Sequence, residues 1–270
     1  MKILDLGVLD TPLLLFGGPY SNLQASEALL EFARQEGFAP TNVICTGDLV
    51  AYCAQPAETI KLFRDFGGPI LAGNCEKQLA ANALDCGCGF EDGTACDLLS
   101  AGWYAHANQQ VGAEDRRWMA ELPDLMRFEH VGKTYGVVHG GATAINRFLW
   151  QMSPDSEFQE EFELLSELLG DVDTVVSGHS GIAFERQVAG KTWINAGAIG
   201  LPRNDGQRST EFVTLTDGAV NFHCLQYNSA EAYTQMNAAG LTQGYHQTLK
   251  TGYWPSEDVL PPEMRRNAIP

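Results

Sequence analysis

The stretch Asn42-Val43-Ile44-Cys45-Thr46-Gly47-Asp48 decides the fold. It is a short apolar run stopped by glycine and an acidic residue, as a buried strand is stopped at its carboxyl end. Upstream, Leu13-Leu14-Leu15-Phe16 ends in the same way at Gly17-Gly18. Between the two runs, Ser21 or Asn22 is placed to cap a helix reaching about Glu36, with Leu23, Leu29, Leu30, Phe32 and Ala33 roughly on one face. Downstream, Pro56 opens a second helix, Gly67-Gly68 closes it, and Ile70–Ala72 reads as a third strand ending at Gly73-Asn74. Strand and helix alternating at this spacing predict an α/β unit with a parallel sheet.

The same rhythm returns later in the chain. Tyr135–Val138 is apolar and stops at His139-Gly140-Gly141, Glu157–Leu169 has a helical pattern, and Val172–Val176 leads to Gly178-His179. Phe212–Leu215 and Val220–Leu225 flank Asp217-Gly218, a strong hairpin signal. From Gly240 the chain carries Tyr245, Leu249, Tyr253, Trp254 and Leu260, too aromatic for a free tail. The expected organisation is one domain over residues 1–270, with a cysteine-rich insert at about 84–102 and a packed C-terminal tail at about 240–270.

Composition narrows the function. With 270 residues, 44% hydrophobic and 19% charged, the chain is an ordinary globular one. Lys plus Arg is 17 and Asp plus Glu is 34, a net charge of −17. A surface that acidic repels a nucleic acid duplex and an anionic membrane, although a bound cation or a few arginines can reverse the sign within a cleft. No run is long enough to span a bilayer and no export signal is read, so the expected location is cytoplasmic. Seven cysteines cannot all pair internally, and reduced thiols are expected. Cys75, Cys86, Cys88 and Cys96 crowd one stretch. Cys-x-Cys is not one of the strong zinc spacings, so unliganded loop thiols are favoured over a structural metal or redox site.

Four strand ends carry polar residues: Asp48, Asn74, His139 and His179. Ligands of open α/β sheets bind outside the carboxyl ends of the strands, so these four are expected to converge. One carboxylate, one amide oxygen and two imidazoles suit Mn, Fe or Zn. The rival reading is that they are turn and cap residues.

Gly47-Asp48, Gly73-Asn74, His139-Gly140 and Gly178-His179, in this order, resemble the calcineurin-like metallophosphoesterase family. Ser21-Asn22-Leu23-Gln24-Ala25, Asn195-Ala196-Gly197 and Gly200-Leu201-Pro202-Arg203 are similar to its compact bacterial branch of phosphodiesterases and diadenosine tetraphosphatase-like proteins. The resemblance covers residues 13 to 227. It implies a two-sheet α/β sandwich flanked by helices and hydrolysis of phosphate mono- or diesters at a dinuclear metal centre.

The departures are specific. The family's opening Asp-x-His falls on Gly18 and Tyr20, its Gly-Asn-His on Gly73-Asn74-Cys75, and its final Gly-His-x-His on Gly178-His179-Ser180-Gly181. The resemblance therefore implies one metal site complete in Asp48, Asn74, His139 and His179, and another that retains only Asp48. Tyr20 is a phenolate ligand candidate at the missing histidine's place, which leaves one or two ions open. Cys75 stands where the leaving-group acid is expected, and Asp48 is the shared catalytic ligand. Arg147 and Arg203 are candidates to grip a phosphate, against ordinary surface ion pairing.

The expected function is hydrolysis of a small phosphate ester by metal-activated water, and the expected partner is that ester. The alternative is a degenerate relative that binds a phosphate ligand or a protein without turnover. A homo-oligomer is left open.

Overall fold

The computed structural model describes residues 1–266, so the last four residues of the expected tail lie outside the described part. Among the described residues ten strands form two sheets. The second, third, ninth and tenth (β2, Leu13–Phe16; β3, Val43–Cys45; β9, Thr210–Thr216; β10, Ala219–Leu225) make one sheet in the order β10-β9-β2-β3. The other contains β1 (Ile3–Val8), β4 (Leu125–His130), β5 (Lys133–Val137), β6 (Thr174–Ser177), β7 (Phe184–Val188) and β8 (Lys191–Asn195), ordered β1-β4-β5-β6-β8-β7.

The run Leu13–Phe16 is apolar throughout because both faces of β2 are covered. Leu13 and Leu15 point between the sheets, where they join Ile44, Phe128, Val137, Val176, Ile194 and Val213. Leu14 and Phe16 point the other way, towards Leu29 and Leu30 of helix α1 (Leu23–Gln35) and Ile60 and Phe63 of α2 (Pro56–Phe66). Burying each such side chain contributes roughly 1.5–3 kcal/mol. The second outer layer is α6 (Asp155–Leu169), whose Phe158, Phe162 and Leu165 pack on Val175 and Trp193. This is the expected two-sheet sandwich flanked by helices.

Both sheets are mixed, which corrects the expectation of a parallel sheet. β2–β3, β1–β4, β5–β6 and β6–β8 are parallel, whereas β2–β9, β9–β10, β4–β5 and β7–β8 are antiparallel. Ile70–Ala72 is not a strand. Ile70 makes one parallel bridge to Cys45, and the Ala72 N–H turns away to the Pro123 carbonyl. The chain then enters α3 (Asn74–Ala80), followed by α4 (Ala95–Gln110), which begins within the stretch expected as a cysteine-rich insert, and α5 (Ala113–Glu121).

After β10 come α7 (Ser229–Ala238) and α8 (Tyr245–Thr251). Beyond α8, Leu260 is buried with Trp150 and Ile182. The Trp254 indole donates to the Pro202 carbonyl at 2.6 Å, and Asp258 accepts from the Ala95 backbone at 3.0 Å. No helix among the described residues is long and apolar enough to cross a membrane.

Candidate metal centre

Asp48, His139 and His179 follow the carboxyl ends of β3, β5 and β6, and Asn74 opens α3. All four are buried. His139 Nε2 lies 3.0 Å from Asn74 Oδ1, 3.0 Å from His179 Nδ1 and 3.2 Å from Asp48 Oδ2. The ligand atoms of Asp48, His139 and His179 all lie within 4.8 Å of one another.

The outer partners determine what these atoms offer. His139 Nδ1 is 2.8 Å from the Thr46 carbonyl, which can only accept, so in the neutral imidazole Nδ1 carries the proton and Nε2 a lone pair. His179 Nε2 is 3.2 Å from the Cys88 carbonyl, which by the same logic leaves a lone pair on Nδ1. The Asn74 amide donates Nδ2–H to the Cys86 carbonyl at 2.8 Å, turning Oδ1 inward. Four acceptor atoms therefore face one another. A proton on His139 Nε2 could serve one of its three neighbours, whereas a divalent cation serves all four donors. The donor set fits such an ion, and the three carbonyls are the outer partners that orient metal ligands.

The electrostatics favour that proton on His139, beside Asp48. Burial disfavours the Asp48 carboxylate, but His139 beside it outweighs that and holds its pKa below the usual range. Burial likewise opposes the His139 imidazolium, and Asp48 more than compensates, so its pKa lies above the ordinary value. Burial and the His139 charge push His179 down to about 3, leaving it neutral.

The loop carrying Asp48 is held by a residue with no part in the sequence reading. Glu76, wholly buried, accepts from the backbone N–H groups of Asp48 (2.8 Å), Gly73 (2.8 Å) and Val50 (3.2 Å). Burial, and next the Asp48 charge, push its pKa up to about 7. Its signal is positional: a glutamate three residues after Gly73, where a helix-opening acid reaches back to the residue before the helix. Asp48 itself has φ +56°, unusual for a non-glycine residue. At Gly47 (φ +105°) a β-carbon would lie 2.6 Å from the Gly73 nitrogen and 2.9 Å from His139 Nδ1, so only glycine allows this approach.

The other candidate residues are placed as follows. Cys75 donates its backbone N–H to Asp48 Oδ1 at 3.2 Å, but its thiol is fully buried in the core, and burial followed by the Asp48 charge raises its pKa well above normal. The thiol lines neither the cavity beside His179 nor the one beside His139. Arg147 is bound to Glu160 at 2.6 Å and to buried Glu161 at 2.7 Å. Arg203 is bound to Glu211 at 2.6 Å. Neither arginine lines those cavities; both are committed to carboxylates. Cys86 and Cys88 are joined as a disulfide, unlike the reduced thiols expected, while Cys96 is a buried free thiol.

Tyr20 sits against the two glycines that carry no ligand. A β-carbon on Gly18 would collide with its ring, and one on Gly181 would lie 3.3 Å from its hydroxyl. The ring packs edge-on against Tyr52 with centroids 4.8 Å apart. Burial, then Asp48, raises the Tyr20 pKa well above normal, which works against a phenolate. Tyr20 and His179 share the wall of a narrow cavity of about 40 Å³ with Phe148, Trp150, Tyr245 and Trp254.

Residues 21–218 match the family model of the calcineurin-like phosphoesterase superfamily domain. An uncharacterized protein of Methanocaldococcus jannaschii is 24% identical over 236 residues, covering 80% of this chain and 88% of its relative. A metallophosphoesterase from Sphaerobacter thermophilus has a similar structure, with a TM-score of 0.68 and 21% identity over 90% of this chain and all of its own. A hypothetical protein from Pyrococcus horikoshii superposes with a TM-score of 0.73 at 14% identity, covering 91% of this chain and 99% of that one.

Proposed function

Because this chain belongs to the calcineurin-like phosphoesterase superfamily, we propose that it hydrolyses a small phosphate mono- or diester at a centre holding one divalent cation, Mn, Fe or Zn. The observation that carries this reading is the meeting of four lone-pair atoms, from Asp48, Asn74, His139 and His179, around His139 Nε2. When bound, the cation supplies polarisation of a phosphoryl oxygen and a lowered pKa for water.

The chain's own residues do the rest. Asp48 brings the negative charge that retains a cation, and the two imidazoles and the amide complete a borderline donor set. The Thr46 and Cys88 carbonyls keep the imidazole protons on the outward nitrogens. In the net reaction the hydroxyl of water joins phosphorus, the ester P–O bond breaks, and the remaining proton ends on the released oxygen. The segment beyond the family match contributes Tyr245 and Trp254 to the cavity wall, which supports a single domain over residues 1–270.

The test is to load separate samples with Mn, Fe or Zn and assay p-nitrophenyl phosphate and bis-p-nitrophenyl phosphate. Hydrolysis of either, with metal lost in Asp48→Ala, supports the reading. No hydrolysis with any metal, together with unchanged metal content in Asp48→Ala, contradicts it. Gly18 and Gly181, which offer no ligand atom, favour a second reading in which a phosphate ligand is bound without turnover. Stabilisation by phosphate without product from either ester would single that one out.

A further inference from the structure

A phosphoryl group at this centre carries negative charge that one cation neutralises only in part. Family members with two ions clamp the attacking and leaving oxygens between them. Here the cavity beside His179 has no lysine or arginine in its wall. Among its hydroxyls, Ser180 is committed, donating to the Leu149 carbonyl at 2.7 Å. Tyr20 is the side chain set into the space of the missing ligands, with its ring beside Gly18 and its hydroxyl beside Gly181.

The backbone there is held in an uncommon state. Tyr20 and Ser21 have φ of +52° and +57°, left-handed values that cost a non-glycine residue roughly 1–2 kcal/mol each. The surroundings impose the conformation. Tyr20 N–H donates to the Asp48 carbonyl at 3.1 Å and Ser21 N–H to the Leu49 carbonyl at 2.8 Å, tying the segment to the loop that carries Asp48. Strain of this kind concentrates where a side chain must be aimed. The cavity that Tyr20 shares with His179, about 40 Å³, has room for about three waters.

We propose that Tyr20 takes the place of the absent first metal ion, its phenolic O–H donating a hydrogen bond to a non-bridging phosphoryl oxygen of the ester bound at the Asp48–Asn74–His139–His179 centre. Tyr20 is thereby a catalytic residue rather than a metal ligand. It transfers no proton. Its ring also fills the first site and holds the centre to one ion. A hydrogen bond to a charged oxygen strengthens as charge gathers on that oxygen, so it assists the displacement as well as binding. This inference rests on the proposed phosphoesterase reading.

The experiment compares wild type with Tyr20→Phe, each loaded with Mn, using inorganic phosphate as the probe in titration calorimetry. Metal content and the thermal midpoint are measured on the same samples. The expected result is one Mn per chain in both proteins, an unchanged midpoint within a few degrees, and phosphate binding about 10- to 100-fold weaker in Tyr20→Phe. Equal phosphate affinity in the two proteins would reduce Tyr20 to a packing residue and overturn the inference while leaving the phosphoesterase reading intact. Loss of Mn from Tyr20→Phe would make Tyr20 a ligand and overturn it in another way. Failure of Mn-loaded wild type to bind phosphate or cleave either ester would overturn the underlying reading as well. Should Tyr20→Phe misfold, Gly181→Ala, whose new methyl sits against the hydroxyl, is read in the same way.

Discussion

The hydroxyl of Tyr20 occupies the edge of the space that a side chain at Gly181 would enter: a β-carbon there would stand 3.3 Å from it. One aromatic residue thus excludes ligands from two positions, since a β-carbon at Gly18 would strike the same ring. Rebuilding the first site consequently requires removing the ring. The triple variant Gly18→Asp, Tyr20→His, Gly181→His is expected to bind a second Mn. Gly181→His alone is expected to add none and to lose about 1–2 kcal/mol, because its φ is +70°. Metal equivalents and urea unfolding read both outcomes; a second ion in the single variant would show that Tyr20 does not block the site.

The Cys86-Gly87-Cys88 loop supplies the carbonyls that orient Asn74 and His179, at 2.8 Å and 3.2 Å. The disulfide and a bond from Asn146 Nδ2 to the Gly87 carbonyl at 3.1 Å hold that loop in place. Replacing both cysteines with serine is expected to weaken metal binding about 10- to 100-fold, the usual cost of losing outer-shell orientation. Competition with a chromogenic chelator measures it. Unchanged affinity would mean that the two ligands hold their orientation without the loop.

Glu76 holds three buried backbone N–H groups around the Asp48 turn. Glu76→Ala leaves all three without partners, at about 1–3 kcal/mol each. We expect an unfolded or strongly destabilised protein, with Glu76→Gln retaining more stability because its amide oxygen still accepts. If denaturant unfolding finds the alanine variant as stable as wild type, other groups must satisfy that turn.

Arg147 and Arg203 are expected to matter for stability rather than for phosphate. Arg147→Met strips the cationic partner from Glu161, whose side chain is 0% exposed, and should cost about 1–3 kcal/mol. Phosphate affinity should remain at the wild-type value in Arg147→Met and Arg203→Met. A tenfold loss of phosphate affinity in either would restore that arginine to the binding site.

Much of this was legible in the chain because the site is built from strand ends. Asp48, Asn74, His139 and His179 each follow an apolar run closed by, or leading into, glycine, and their residue types suit a borderline metal ion. Leu13–Phe16 was legible as a buried strand, since four consecutive apolar residues require cover on both faces, whereas the two-sheet sandwich came from the family resemblance. Strand β1 was not, because Ile3–Val8 is largely exposed and shows no burial alternation. Ile70–Ala72 misled for the opposite reason: it is buried like a strand but makes one bridge to Cys45 before the Ala72 N–H goes to the Pro123 carbonyl. The orienting groups of the site were hidden because three of them, from Thr46, Cys86 and Cys88, are backbone carbonyls, which any residue carries. The motif marked Tyr20 only as the residue at the missing histidine's place, and the position of its ring could not be read from that.

The central claim is a single metal site made of Asp48, Asn74, His139 and His179 with the first site filled by Tyr20. Metal content per chain tests it most directly, measured by mass spectrometry after loading with excess Mn, Fe or Zn and desalting. One equivalent in wild type, lost in Asp48→Ala and in His139→Ala, is the predicted result. Two equivalents in wild type, or one that survives both substitutions, would contradict it.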